Sequence, residues 1–181
     1  MTITSAPHAF LGFVTSQDVR LMQRVSRWRP PRWVRWWMIG ATRAGDGCLW
    51  YAQGLVFLLA GGSQGLAATE AGLLACGFGI LVFEILKRSI GRQRPSVLER
   101  HNWARLLPPD EFSFPSGHTI TAFAFAVAVT HYFPFLLLWL LFCAVSVAAS
   151  RIVLGMHFLS DVLAGCAIGC GIGSLACLVV H

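Results

Sequence analysis

The chain has 181 residues, of which 56% are hydrophobic and only 12% charged, and a net charge of +6. A charged fraction about half that of an ordinary soluble protein, over a length suited to one domain, excludes a water-soluble fold and points to an integral membrane protein. The positive balance does not imply nucleic acid, because the arginines flank apolar runs and alternate with tryptophan, the pattern of a membrane interface.

In chain order, the first 30 residues hold no continuous apolar core, so no cleavable signal is expected and an inserted helix directs targeting. Leu21, Val25 and Trp28 fall at i, i+4 and i+7, with Arg20, Arg24 and Arg27 one residue earlier. Adjacent apolar and basic stripes predict an amphipathic helix lying on the membrane surface within residues 17–37. Pro30-Pro31 ends it, and RWVRWW adds an interfacial belt. Apolar runs follow at about 47–62, 66–86, 117–133, 135–150 and 158–180, each close to the roughly 20 residues that cross a bilayer. Gly61-Gly62 separates the first two and Pro134 the third from the fourth.

The expected fold is therefore an all-α polytopic membrane helix bundle of about five spans plus an N-terminal interfacial helix. Residues 1–45 form the basic, aromatic segment and 46–181 the transmembrane domain, with a long polar loop at 87–115 in which LPPDEF marks a turn. The six cysteines lie in apolar runs without the spacing of a zinc site or disulfide framework, and read as small packing residues.

Five spans put residues 1–46, 87–116 and 151–157 on one side of the membrane. All fourteen Lys and Arg fall on that side, and setting aside Lys87, Arg94 and Arg151 leaves eleven against none. The positive-inside rule then places the N-terminus and the long loop in the cytoplasm of a protein of the cell's inner (plasma) membrane.

Three polar groups converge on that face: Lys87 with Arg94-Pro95, then Pro115 to His118, then Ser150-Arg151 with His157 and Asp161. Lys87, Arg94 and Arg151 bring three cations together, and arginine forks suit phosphate oxygens. Ser116 and Gly117 stand at an expected helix N-terminus, where free N–H groups favour an anion. His157 and Asp161 are four apart, so on a helix the carboxylate lies beside the imidazole and supports it as nucleophile or base. His118 is a second histidine able to act as general acid. An anion pocket with two histidines and an orienting aspartate suits phosphoryl transfer through a phosphohistidine.

The pattern K-x6-R-P, P-S-G-H and S-R-x5-H-x3-D, over roughly residues 45–180, resembles the type 2 phosphatidic acid phosphatase and haloperoxidase superfamily. The resemblance implies metal-independent hydrolysis of a phosphomonoester or diphosphate, with no cofactor. His157 would attack phosphorus, Asp161 would orient it and His118 would protonate the leaving oxygen. Lys87, Arg94, Arg151, Ser116 and the Gly117 amide would hold the phosphate. Lipid phosphatases of the family commonly have six spans, and well-known bacterial members work on the periplasmic face; five spans and a cytoplasmic site are expected here.

The function expected is a membrane lipid phosphate phosphatase acting on phosphatidic acid, phosphatidylglycerol phosphate or a polyprenyl phosphate or diphosphate. The alternatives are a lipid phosphotransferase using the same intermediate and a non-enzymatic transporter of anionic lipids. Partners are the lipid substrate and membrane lipids, with no nucleic acid and no obligate protein partner. Outside the motifs, Glu84 pairs with Lys87 or a neighbouring arginine, and Asp46 reads most simply as a helix cap. Arg88 and Arg92 read as contacts to lipid headgroups or to the phosphate's periphery. His131 and His181 belong to the far face.

Overall fold

Proline, glycine and the apolar runs divide the chain into seven α-helices among the residues that the computed structural model describes, 6–95 and 112–180. The LPPDEF turn through Glu111, most of the long loop and His181 lie outside them. Helix α1 spans Ala6–Arg27, with Arg24 and Arg27 in its last turn, where cations complement the helix dipole. Pro31 caps α2, Arg32–Gly45. RWVRWW, read from the sequence as an interfacial belt, is the opening of a second helix. A proline preceding the first turn gives up no needed hydrogen bond. Trp33 and Trp36 are exposed along it, and Trp37 packs on Phe142 with ring centroids 5.4 Å apart.

Helix α3, Cys48–Ala60, turns through Gly61 into α4, Gly62–Ile90. The turn is so tight that a Cβ on Gly65 would lie 2.0 Å from the Phe57 carbonyl oxygen, which only glycine permits. Helix α4 runs four residues past the boundary read from the sequence, because Lys87 and Arg88 continue it until Gly91 ends it in the left-handed region at φ 63°.

Helix α5, Gly117–Tyr132, is the centre of the bundle and packs on α4, α6 (Leu137–Val153) and α7 (Leu159–Val179). Its buried face is rich in alanine: Ala122, Ala124, Ala126 and Ala128. Opposite, Gly165, Gly169 and Gly173 of α7 bring the two backbones together, and a Cβ at Gly169 would stand 2.5 Å from the Ile120 carbonyl oxygen. Small residues four apart are the packing device of membrane helices, where burial against lipid gives no hydrophobic gain. The outer surface carries Leu55, Leu59, Phe135, Leu138, Leu163 and Leu178, exposed apolar side chains suited to lipid.

The fold is an all-α polytopic membrane helix bundle. Among the described residues, three helices are long and apolar enough to cross a bilayer: α4, the continuous unit Pro134–Val153 and α7. With 13 and 16 residues, α3 and α5 are shorter than the roughly 20 needed. All six cysteines are free; Cys143 is buried in the core and Cys48 is exposed.

Candidate active site

The end of α6 and the start of α7 are joined by a reversal at Leu154–Phe158, where Gly155 adopts φ 70°. The carbonyl of Arg151 accepts from the Met156 and His157 amides at 2.9 and 3.1 Å, which fixes His157 in a buried position beneath the last turn of α6. The two ends of the long loop close over it. Gln93 and Phe112 form an antiparallel bridge, and the Ser113 amide donates to the Arg92 carbonyl at 2.7 Å. The Ser113 carbonyl is thereby set 2.6 Å from His157 Nδ1. A carbonyl only accepts, so Nδ1 carries the proton and Nε2 keeps its lone pair.

Arg94 lies on the Nε2 side: its Nη1 is 3.3 Å from His157 Nε2 and donates to the Met156 carbonyl at 2.8 Å. Burial pushes the His157 imidazole down to about 4, and Arg151 and Arg94 act in the same direction. The ring is neutral at pH 7, as a nitrogen nucleophile requires.

Asp161 differs from the arrangement expected of it. Its Oδ2 is 3.8 Å from His157 Nδ1, too long for a hydrogen bond, and accepts instead from the Phe158 amide at 2.9 Å. Standing in the first turn of α7, the carboxylate caps its own helix and offers the imidazole charge without a direct bond. Its Oδ1 accepts from Arg92 Nη1 at 2.6 Å.

Arg92, expected at lipid headgroups or the phosphate's periphery, is bonded within the protein. Its guanidinium also bonds Ser160 Oγ at 2.6 Å and Asp18 Oδ2 at 2.7 Å, and lies 4.3 Å from the centroid of the Phe158 ring. Arg88 pairs with Glu84 at 3.6 Å on the exposed face of α4, so Glu84 meets a neighbouring arginine.

His118 stands in the first turn of α5 with Nε2 2.7 Å from Asp46 Oδ1. Asp46 is not a side-chain cap: Gly47 occupies the N-cap of α3, without a side-chain bond, and the Asp46 carboxylate reaches across to α5. Arg151 is buried and its Nη1 donates to the Thr42 hydroxyl of α2 at 2.5 Å. Ser116 is fully buried; its Oγ accepts from Thr119 at 2.9 Å and its amide donates to the Asp161 carbonyl at 3.2 Å. The Ser116 hydroxyl and amide are thus both engaged inside the protein. Gly117 packs on the Phe83 ring, 3.0 Å from where a Cβ would stand, and borders an open space.

That space is a cavity of about 710 Å³, lined at one end by Lys87, Arg94, Gly117, His118, Arg151 and His157, with Asp46 at the side. It continues between α3 and α4 as an apolar groove past Tyr51, Leu55, Leu58, Leu73, Gly77 and Ile80. Among the described residues, no group of three or more His, Cys, Asp or Glu side chains is arranged to hold a metal ion. His131 meets the Tyr132 ring edge-on at the opposite end of α5. Sequence reading missed Asp18, Thr42 and Ser113, and it undervalued Asp46.

A family model described as the PAP2 superfamily matches residues 70–181, more than half of the chain. The chain belongs to the PAP2 superfamily. Among relatives of the PAP2 chain, Phosphatidylglycerophosphatase B of Bacillus subtilis is 32% identical over 171 residues, 86% of this chain and 79% of that protein. Lipid A 1-phosphatase of Rhizobium johnstonii is 35% identical over 106 residues, 56% of this chain and 43% of that one. The chain thus spans less than half the length of the Rhizobium relatives it matches. The crystal structure of a transmembrane PAP2 type phosphatidylglycerolphosphate phosphatase from Bacillus subtilis superposes with a TM-score of 0.70 at 28% identity, covering 90% of this chain and 84% of that one. The polar end of the cavity is built from residues of all three polar groups read from the sequence: Lys87 and Arg94, Gly117 and His118, Arg151 and His157.

Proposed function

We propose that this PAP2 chain is a membrane phosphatase that removes phosphate from a lipid phosphomonoester or diphosphate. The observation that carries the reading is the continuity of one cavity. Its polar end holds a neutral imidazole among three cations, and its remainder is an apolar groove of the kind an acyl chain fills. Arg94, Arg151 and Lys87 neutralise the phosphate oxygens. The lone pair on His157 Nε2 forms a bond to phosphorus as the bond to the lipid oxygen breaks, and His118 gives that oxygen a proton. A water molecule then attacks the phosphohistidine, His118 takes its proton, the P–N bond breaks and free phosphate leaves.

Phosphatidic acid, phosphatidylglycerol phosphate and polyprenyl phosphates or diphosphates are the substrates to try first. Phosphatidylglycerol phosphate draws support from the name of the Bacillus subtilis relative, and a lipid A phosphate from that of the Rhizobium relative. The experiment is phosphate release by purified protein from this panel, with His157→Ala as the blank. Release from none, or equal release by the blank, overturns the reading. Phosphate appearing on an added lipid alcohol instead of in solution identifies a phosphotransferase.

We read α3 to α7 as five spans, residues 1–45 as an interfacial segment, and the site as cytoplasmic, on the asymmetry of eleven non-motif Lys and Arg against none. Single cysteines introduced into 96–111 of a cysteine-free variant test this in intact cells. Labelling by an impermeant reagent from outside reverses the topology.

A further inference from the structure

Residues 1–45 contain seven arginines and a single acidic residue, Asp18, and that one acid is buried. Three interactions hold it against Arg92 and Ser160. Asp18 Oδ1 accepts from the Ser160 amide at 3.1 Å, in the first turn of α7, where a helix favours negative charge. Asp18 Oδ2 accepts from the Ser160 hydroxyl and from Arg92 Nη2. The other nitrogen of the same guanidinium holds Asp161, whose carboxylate stands 3.8 Å from His157 Nδ1.

Two carboxylates thus share one guanidinium beneath the catalytic imidazole. When His157 bonds to phosphorus while keeping the proton on Nδ1, the ring becomes positive and Asp161 is the carboxylate beside its Nδ1 edge. Arg92, bonded to that anion, opposes the developing charge. Asp18 cancels Arg92 and leaves a net charge of −1 under the ring. We propose that Asp18, carried by the N-terminal helix, is a positioning residue of the phosphatase that keeps this cluster anionic so that Asp161 can support the phosphohistidine. The inference rests on the phosphatase reading and adds α1 to the parts turnover needs.

The test is a charge cycle on the full chain in detergent micelles with dioleoyl phosphatidic acid, measuring kcat and KM separately for wild type, Asp18→Asn, Arg92→Gln and the double variant. Asp18→Asn brings the cluster to zero and lowers kcat by about tenfold with KM changed less than about twofold, since the charge acts on the transition state. Adding Arg92→Gln to it restores −1, and kcat returns to within about threefold of wild type. A merely structural tether gives the opposite result, because the double variant then loses both partners and falls at least as low as the worse single one. That result overturns the inference, as does Asp18→Asn at wild-type kcat. Should Asp18→Asn not purify as a folded protein, Asp18→Glu carries the test: retained kcat upholds a charge role and a tenfold loss removes it. Wild type inactive on every lipid of the panel sinks the phosphatase reading itself, a failure separate from these.

Discussion

His157 and Ser113 lie 44 residues apart, and Nδ1 of the one is 2.6 Å from the carbonyl oxygen of the other. A backbone acceptor therefore sets the tautomer of the candidate nucleophile, and the bridge between Gln93 and Phe112 sets that acceptor.

The first prediction concerns pH. Burial pushes His157 down to about 4 from an ordinary 6.5. Between those values the unfolded chain binds a proton that the folded one refuses, so acidification from about 6.5 towards 4 lowers stability. Over the same interval the folded nucleophile stays neutral. The acid limb of kcat/KM is therefore expected near pH 4, in buffers where the protein remains folded; a limb near 6.5 assigned to His157 contradicts the buried, neutral ring.

The second prediction separates His118 from His157 by leaving group. A lipid alkoxide is a poor leaving group and needs a proton, whereas p-nitrophenolate needs none. Because His118 also serves the shared hydrolysis of the phosphohistidine, the comparison is made on kcat/KM, which ends at phosphoryl transfer. His118→Ala should lower it on a lipid phosphate by about 10²-fold or more, and on p-nitrophenyl phosphate by much less. His157→Ala should abolish both. Equal losses for His118→Ala on the two substrates remove it from the role of acid. Asp46→Asn, which weakens the 2.7 Å contact to His118, should follow the same leaving-group pattern at smaller amplitude.

Arg151 and Thr42 supply the third. Thr42→Val keeps the shape of the side chain and deletes the oxygen that Arg151 Nη1 donates to at 2.5 Å. Losing a buried hydrogen bond to a charged group costs about 1.5–3 kcal/mol. It should appear as weaker inhibition by vanadate, a phosphate mimic, by about tenfold or more, and as a higher KM. Unchanged vanadate inhibition means that Arg151 does not depend on α2.

How much of this was legible in the sequence follows from chain distance. Lys87, Arg94, Gly117, His118, Arg151 and His157 are chemistry-bearing residues at the ends of apolar runs, and the fold brings them to one cavity. Asp18, Asp46 and Thr42 act across 74, 72 and 109 residues, on Arg92, His118 and Arg151, and no local period encodes such contacts. One signal was present: a lone acid among seven arginines is unlikely company for a solvated basic stripe and asks for a buried partner. Ser113 meets His157 through its carbonyl while its hydroxyl donates to the Gln93 carbonyl at 3.1 Å, and both contacts span distances that no local period encodes. The helical register was easier. Apolar runs located all five helices from α3 to α7, while RWVRWW hid α2 because its aromatic, basic composition reads equally as an interfacial belt.

The last prediction tests whether the groove holds the lipid. Gly77 lines the cavity from α4, and a Cβ built there meets nothing within 4 Å. A larger side chain can thus enter the groove without displacing the protein, unlike at Gly72, where a Cβ would press on Phe125 at 3.0 Å. Gly77→Leu should fill the passage between α3 and α4 while leaving the polar end untouched. Glycine to leucine in a helix also favours the helix, so lost stability is not the expected result. KM for dioleoyl phosphatidic acid should rise by about tenfold, the scale of a displaced apolar contact, while p-nitrophenyl phosphate, which has no chain, is turned over as before. If both substrates respond alike, the leucine has disturbed the catalytic end; if neither does, the acyl chain runs elsewhere and the α3–α4 groove is not its path.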